Sequence, residues 1–135
     1  METVFQIANS LAFISWILII LLPKNVNLKK VIQYGFIGVL SATYIVLISS
    51  TITEMKPDSF STLANVKALF TQDIAVTAGW IHYLAFDLFV GLYIINEGIK
   101  LNMPRWKYTL CLPFTFMFGP TGLLLFYLFK FTQKK

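Results

Sequence analysis

Residues 74–95 read IAVTAGWIHYLAFDLFVGLYII, and the fold follows from this stretch. A helix needs about 20 mostly apolar residues to cross a bilayer. This run meets that length, yet it carries His82 and Asp87 near its middle. A charged side chain at the centre of a membrane helix costs about 2.5–3.5 kcal/mol on insertion scales, so such groups point first to function. Asp87 must be neutral, paired or solvated. The competing reading makes it a structural partner, hydrogen-bonded to His82, Asn9 or Thr121.

Helical spacing sorts the stretch into two stripes. Trp80, Tyr83, Asp87, Gly91 and Ile94 form one, and His82, Phe86, Phe89 and Tyr93 form the other. His82 and Asp87 are about 140° apart around the helix and about 7.5 Å apart along it. Both stripes face inward only if this helix is the most enclosed in the molecule.

Three further apolar runs flank it. The chain has 135 residues, 57% hydrophobic and 13% charged, against about 45–50% and about 25% in soluble domains. Four spans use about 80 residues and leave about 55 for ends and loops. No polar stretch is long enough to bury a core of its own. The sequence therefore predicts an all-α polytopic membrane protein, a single four-helix transmembrane domain over residues 1–135. Its spans fall at about 4–22, 31–53, 74–95 and 108–131, with a loop from Glu54 to Asp73 between the second and third. In span one, Gln6, Asn9, Phe13 and Trp16 share a face expected to look into the bundle. In span two, Gly35, Gly38 and Ala42 make a small-residue stripe that admits a close helix neighbour, including a second copy of the chain. In the long loop, Pro57-Asp58-Ser59 is a turn signal. Leu63, Val66 and Phe70 then recur at helical spacing, predicting a short amphipathic helix in the interface.

Lys plus Arg is 11 and Asp plus Glu is 6. The cations sit in short loops and at Lys134-Lys135, a pattern that suits anionic lipid headgroups rather than nucleic acid. For four spans, the first and third loops share a side with Lys24, Lys29, Lys30, Lys100, Arg105 and Lys107. Lys56, Lys67, Lys130, Lys134 and Lys135 fall opposite. So even a balance sets orientation poorly, and the basic flank of span one favours both termini outside. The lone Cys111 reads as a small apolar side chain in a helix. The first run lacks the basic start and the cleavage site of a leader, so it is expected to be a retained span. One His and one Asp are too few ligands for zinc, so no metal is expected.

Span four contains Phe118-Gly119-Pro120-Thr121-Gly122, close in depth to His82 and Asp87. Pro120 cannot donate to the carbonyl of Phe116. Broken backbone at membrane depth persists only where protein or a cavity shelters it. The expectation is one pocket lined by His82, Asp87 and the Gly119-Pro120-Thr121 break, with Trp80, Tyr83 and Phe86 as further binding residues.

Gly79-Trp80-Ile81-His82-Tyr83-Leu84-Ala85-Phe86-Asp87-Leu88-Phe89-Val90-Gly91 resembles the signature of the abscisic-acid-deficient-four-like family. Phe60-Ser61-Thr62-Leu63 through Ala68-Leu69-Phe70, and Phe118-Gly119-Pro120-Thr121-Gly122-Leu123-Leu124, match in order. The resemblance implies a small four-helix membrane protein. In plants it implies conversion of violaxanthin, an epoxy-carotenoid, to the allenic neoxanthin. No organelle transit peptide is evident, so a bacterial inner membrane is expected, or a plastid membrane for a photosynthetic eukaryote. Opening an epoxide to an allenic alcohol needs an acid at oxygen and a base at the neighbouring carbon, and no cofactor. Asp87 and His82 can take these roles in either assignment. Two other readings stand beside this isomerase: a carotenoid- or lipid-binding accessory protein without chemistry, and a small proton- or solute-conducting protein.

Overall fold

A computed structural model describes residues 1–52 and 56–132. Thr53 and Glu54, where the second span was expected to end and the long loop to begin, lie outside the described residues, as do Lys134 and Lys135. The protein is all-helical. Helix α1 is Glu2–Leu21, α2 is Val26–Lys30, α3 is Ile37–Thr51, α4 is Leu63–Leu69, α5 is Asp73–Lys100 and α6 is Arg105–Thr132. A π-helical segment, Val31–Phe36, joins α2 to α3, so that Val26–Thr51 runs as one rod. Among the described residues, four helices are by length and composition apolar enough to cross a membrane: α1, this rod, α5 and α6.

Local sequence explains the ends. The Asn25 side chain accepts the Leu28 N–H at 3.0 Å and starts α2, and Thr62 accepts the Asn65 N–H at 3.1 Å and starts α4. Asn102, at φ 50°, closes α5. Its N–H reaches the Ile99 carbonyl and that of Met103 the Gly98 carbonyl, a paired closure that an αL residue after the helix permits. Pro104 follows and the chain turns into α6. The amphipathic helix expected in the long loop is α4.

Helix α5 is the hub, packed against α3, α6 and α1. Trp80 meets Phe5 and Asn9, and Trp16 lies on Gly91, so α1 and α5 run parallel. Lys29 donates to Asn96 at 2.7 Å, while Tyr44 packs on His82, so the α2–α3 rod runs antiparallel to α5. Of the face expected to look inward from α1, Trp16 is buried and Asn9 half-buried, whereas Gln6 and Phe13 are exposed. Gly38 and Ala42 point outward, and a Cβ added at Gly38 would meet nothing.

Helix α6 is not straight. Phe118 has φ −147° and ψ 53°, and the two arms fold back on each other there. A Cβ on Gly122 would stand 2.6 Å from the Cys111 carbonyl oxygen. The rings of Trp106 and Phe129 are 5.8 Å apart. In a straight helix those residues would be separated by about 34 Å. Both ends of α6 therefore meet the same end of α5: Tyr108 packs on Gly98, and Lys130 pairs with Glu97 at 3.3 Å. The core divides accordingly. One buried cluster joins α1, α5 and α6 around Trp16, Leu88, Leu92, Leu112 and Phe126. The other joins only α1, α3 and α5, around Ala8, Ala12, Leu40, Leu47 and Ile81, and contains no α6 residue among those described.

Candidate functional site

The Asp87 side of α5 receives the bend of α6. Asp87 is 8% exposed. Its carboxylate lies on Gly119, where an added Cβ would come within 2.9 Å of Asp87 Cγ. Only a glycine lets the bend approach so closely. The Gly119 N–H and the Tyr83 hydroxyl both lie beside this carboxylate, and its Oδ2 is buried with no hydrogen-bond partner among the described residues. Tyr83 also donates to the Phe116 carbonyl at 2.8 Å. That is the carbonyl Pro120 leaves without a helical donor, as the sequence predicts. Trp80 completes the stripe by donating from Nε1 to Asn9 Oδ1 at 2.8 Å.

His82 looks the other way. It is exposed on the α3 side of α5, with its ring stacked on Phe86 at 4.5 Å and 5.4 Å from the Tyr44 ring. A cavity of about 290 Å³ opens beside it, lined from α3 by Tyr44 and Ile48, from α5 by Ala78 and Gly79, and from the α4 region by Phe60 and Phe70. Gly79 seats Phe70, since a Cβ there would stand 2.8 Å from the Phe70 ring. A second hollow of about 220 Å³, lined by Ile37, Ser41, Ala85, Phe86 and Phe89, continues the same seam. The α3 residues 37, 41, 44 and 48 share one helical face, as do the α5 residues 78, 82, 85, 86 and 89. The two hollows therefore follow each other along one groove-like seam between α3 and α5, separated by the His82–Phe86 stack.

The expected single pocket is thus corrected. Asp87, Tyr83 and Gly119 come together. His82 and Phe86 lie across the helix from them, because five residues turn the chain through about 140°. Pro120 and Thr121 are exposed and line neither centre. Asp87 is bonded to none of His82, Asn9 and Thr121: Asn9 serves Trp80. Of the stripe of Trp80, Tyr83, Asp87, Gly91 and Ile94, the last four face the protein, while Trp80, like His82, Phe86 and Phe89 of the other stripe, is exposed. Sequence reasoning missed Tyr44. The available signal was a phenol deep in span two, far from the headgroup level where tyrosines collect.

Residues 3–126 match the model of a family described as ABA DEFICIENT 4-like. The chain is similar to Protein ABA DEFICIENT 4, chloroplastic, of Arabidopsis thaliana, with 27% identity over 134 residues. That match takes in 91% of this chain but 58% of the relative, so the chain spans little more than half of the relative's length. No solved structure matches it. The family match runs from the first turn of α1 into the second arm of α6 and so includes the groove, the bend and both ionisable centres: the chain belongs to the ABA DEFICIENT 4-like family.

Proposed function

We propose that this protein binds an epoxidised isoprenoid of the carotenoid kind in the α3–α5 groove and isomerises its ring end beside His82. One observation carries the reading: an apolar groove open at the protein surface holds, at one level, two groups able to move a proton, His82 and Tyr44. Its larger hollow, about 290 Å³, is at the lower limit of small-molecule sites, about 300–1,000 Å³. It suits one end group of a long ligand. The polyene leaves along the second hollow, past Phe86 and Phe89, whose faces offer stacking surface.

The chemistry balances without oxidant or cofactor. His82 takes the proton from the polyene carbon next to the epoxide, a new C=C bond forms, and the C–O bond at the nearer ring carbon breaks. Tyr44 protonates the oxygen released, which stays on the other ring carbon as the alcohol. His82 then returns its proton to Tyr44. Asp87 faces the opposite side of α5 and has a structural part, holding the bend of α6.

The test is pigment composition in a carotenoid-producing host. Wild type converts the epoxide, while His82→Gln and Tyr44→Phe accumulate it. Full conversion by His82→Gln overturns the mechanism. Unchanged pigment co-purifying with wild type and both variants alike replaces it with binding alone.

A further inference from the structure

We propose that residues 105–132 are a re-entrant hairpin that enters and leaves the membrane on one face, so that the chain crosses three times and presents one strongly basic surface to anionic headgroups on the inner side. This does not depend on the reading of the groove. Each arm of α6, residues 105–117 and 119–132, is about 20 Å long, short of the about 30 Å of hydrocarbon. Neither arm can cross alone, and the contacts of Trp106 with Phe129 and of Lys107 with the same ring close the open end of the hairpin.

The depth of the bend follows from α5. Glu97, which pairs with Lys130, and Asp87, which meets Gly119, are about 15 Å apart along the helix. That is half the hydrocarbon thickness, so the bend stops near the midplane. Exposed irregular backbone cannot persist there. Here the Phe116 carbonyl accepts from Tyr83, and the Asp87 carboxylate is packed directly on Gly119. The bend is thus sheltered on the α5 side by Tyr83 and Asp87.

The hairpin also redistributes charge. Lys29 reaches Asn96, and Arg105 donates to the Ile20 and Leu21 carbonyls at 3.2 and 3.1 Å, so the first and third loops share an end of the molecule. Lys130 joins them through Glu97. Among the described residues that end carries Lys24, Lys29, Lys30, Lys100, Arg105, Lys107 and Lys130, and the other carries Lys56 and Lys67. A straight fourth span would return Lys130 to the opposite end. Seven against two is a decisive bias, and short basic loops stay on the inner side. The same cations face that leaflet's anionic lipids.

The experiment uses the full chain in bacterial inner-membrane vesicles, with Cys111→Ala as background and single substitutions Lys24→Cys, Lys67→Cys and Thr132→Cys. A membrane-impermeant maleimide is expected to label the Lys24→Cys and Thr132→Cys chains only in inverted vesicles, and Lys67→Cys only in right-side-out ones. Labelling of Thr132→Cys together with Lys67→Cys overturns the hairpin. Labelling of Lys24→Cys from outside overturns the orientation. Independently of sidedness, Trp106→Cys with Phe129→Cys is expected to yield an intramolecular link with a short bis-maleimide, read as joined peptides by mass spectrometry. An unlinked pair in protein that keeps its helical circular dichroism also overturns the hairpin.

Discussion

The two sides of α5 hold the two ionisable groups of the central span and treat them in opposite ways. Asp87 is enclosed, pressed on a glycine and given backbone to hold. His82 is exposed, flanked by rings and set at the edge of a cavity. The insertion penalty alone makes Asp87 the stronger functional candidate. The function proposed above reverses that ranking. A carboxylate enclosed by the bend of α6 is out of a ligand's reach, and its burial tells of packing at Gly119. An exposed imidazole beside a phenol has no such backbone to serve and remains open to a ligand.

The largest effect that sharpens this contrast is on turnover. Removing a positioned acid–base group costs about 10²–10⁴-fold, so His82→Ala is expected to drop conversion by that factor while protein yield and thermal stability in detergent stay near wild type. The comparison breaks if His82→Ala unfolds the protein while Asp87→Asn alone abolishes conversion.

Stability supplies the next effect, and it belongs to the other side. Asp87→Ala removes the acceptor facing the Gly119 N–H, and an unmet buried donor costs about 1–3 kcal/mol. Gly119→Ala forces a methyl against the carboxylate, where an added Cβ would come within 2.9 Å of Cγ, and overpacking costs about 1–3 kcal/mol. Both variants are expected to lower the midpoint of unfolding in detergent. Asp87→Asn keeps an acceptor oxygen and should lose less than Asp87→Ala. An Asp87→Ala midpoint equal to wild type removes the structural role.

Most of the architecture was legible because hydrophobic length carries it. The four apolar helices, the amphipathic α4 after Thr62 and the freed Phe116 carbonyl are local consequences of residue type. What stayed hidden depends on angle. Pro120 and Gly119 announce a break, but a kink of 20° and a reversal at Phe118 look alike in sequence. Only the approach of Trp106 to Phe129 and of Gly122 to Cys111 distinguishes them. The same gap joined His82 to Asp87. Depth along a helix can be counted, but which face a neighbour covers depends on where α6 turns back. The charge balance turns on the same point, since Lys130 pairs with Glu97 at 3.3 Å and so lies at the end of α5 that the third loop leaves.

The smallest effect separates the two donors that converge on the bend. Tyr83→Phe deletes the hydroxyl bonded to the Phe116 carbonyl at 2.8 Å but leaves the ring packed beside Trp80 at 5.3 Å. Membrane side-chain hydrogen bonds average about 0.6 kcal/mol in double-mutant cycles, so a loss of that order is expected. Tyr83 gives its one proton to the carbonyl and stands beside Asp87, so its removal leaves the carbonyl short of a donor. A cycle of Tyr83→Phe with Asp87→Asn should therefore show coupling, because the asparagine amide can donate where the phenol did. Strict additivity would mean that the hydroxyl and the carboxylate hold the bend independently of each other.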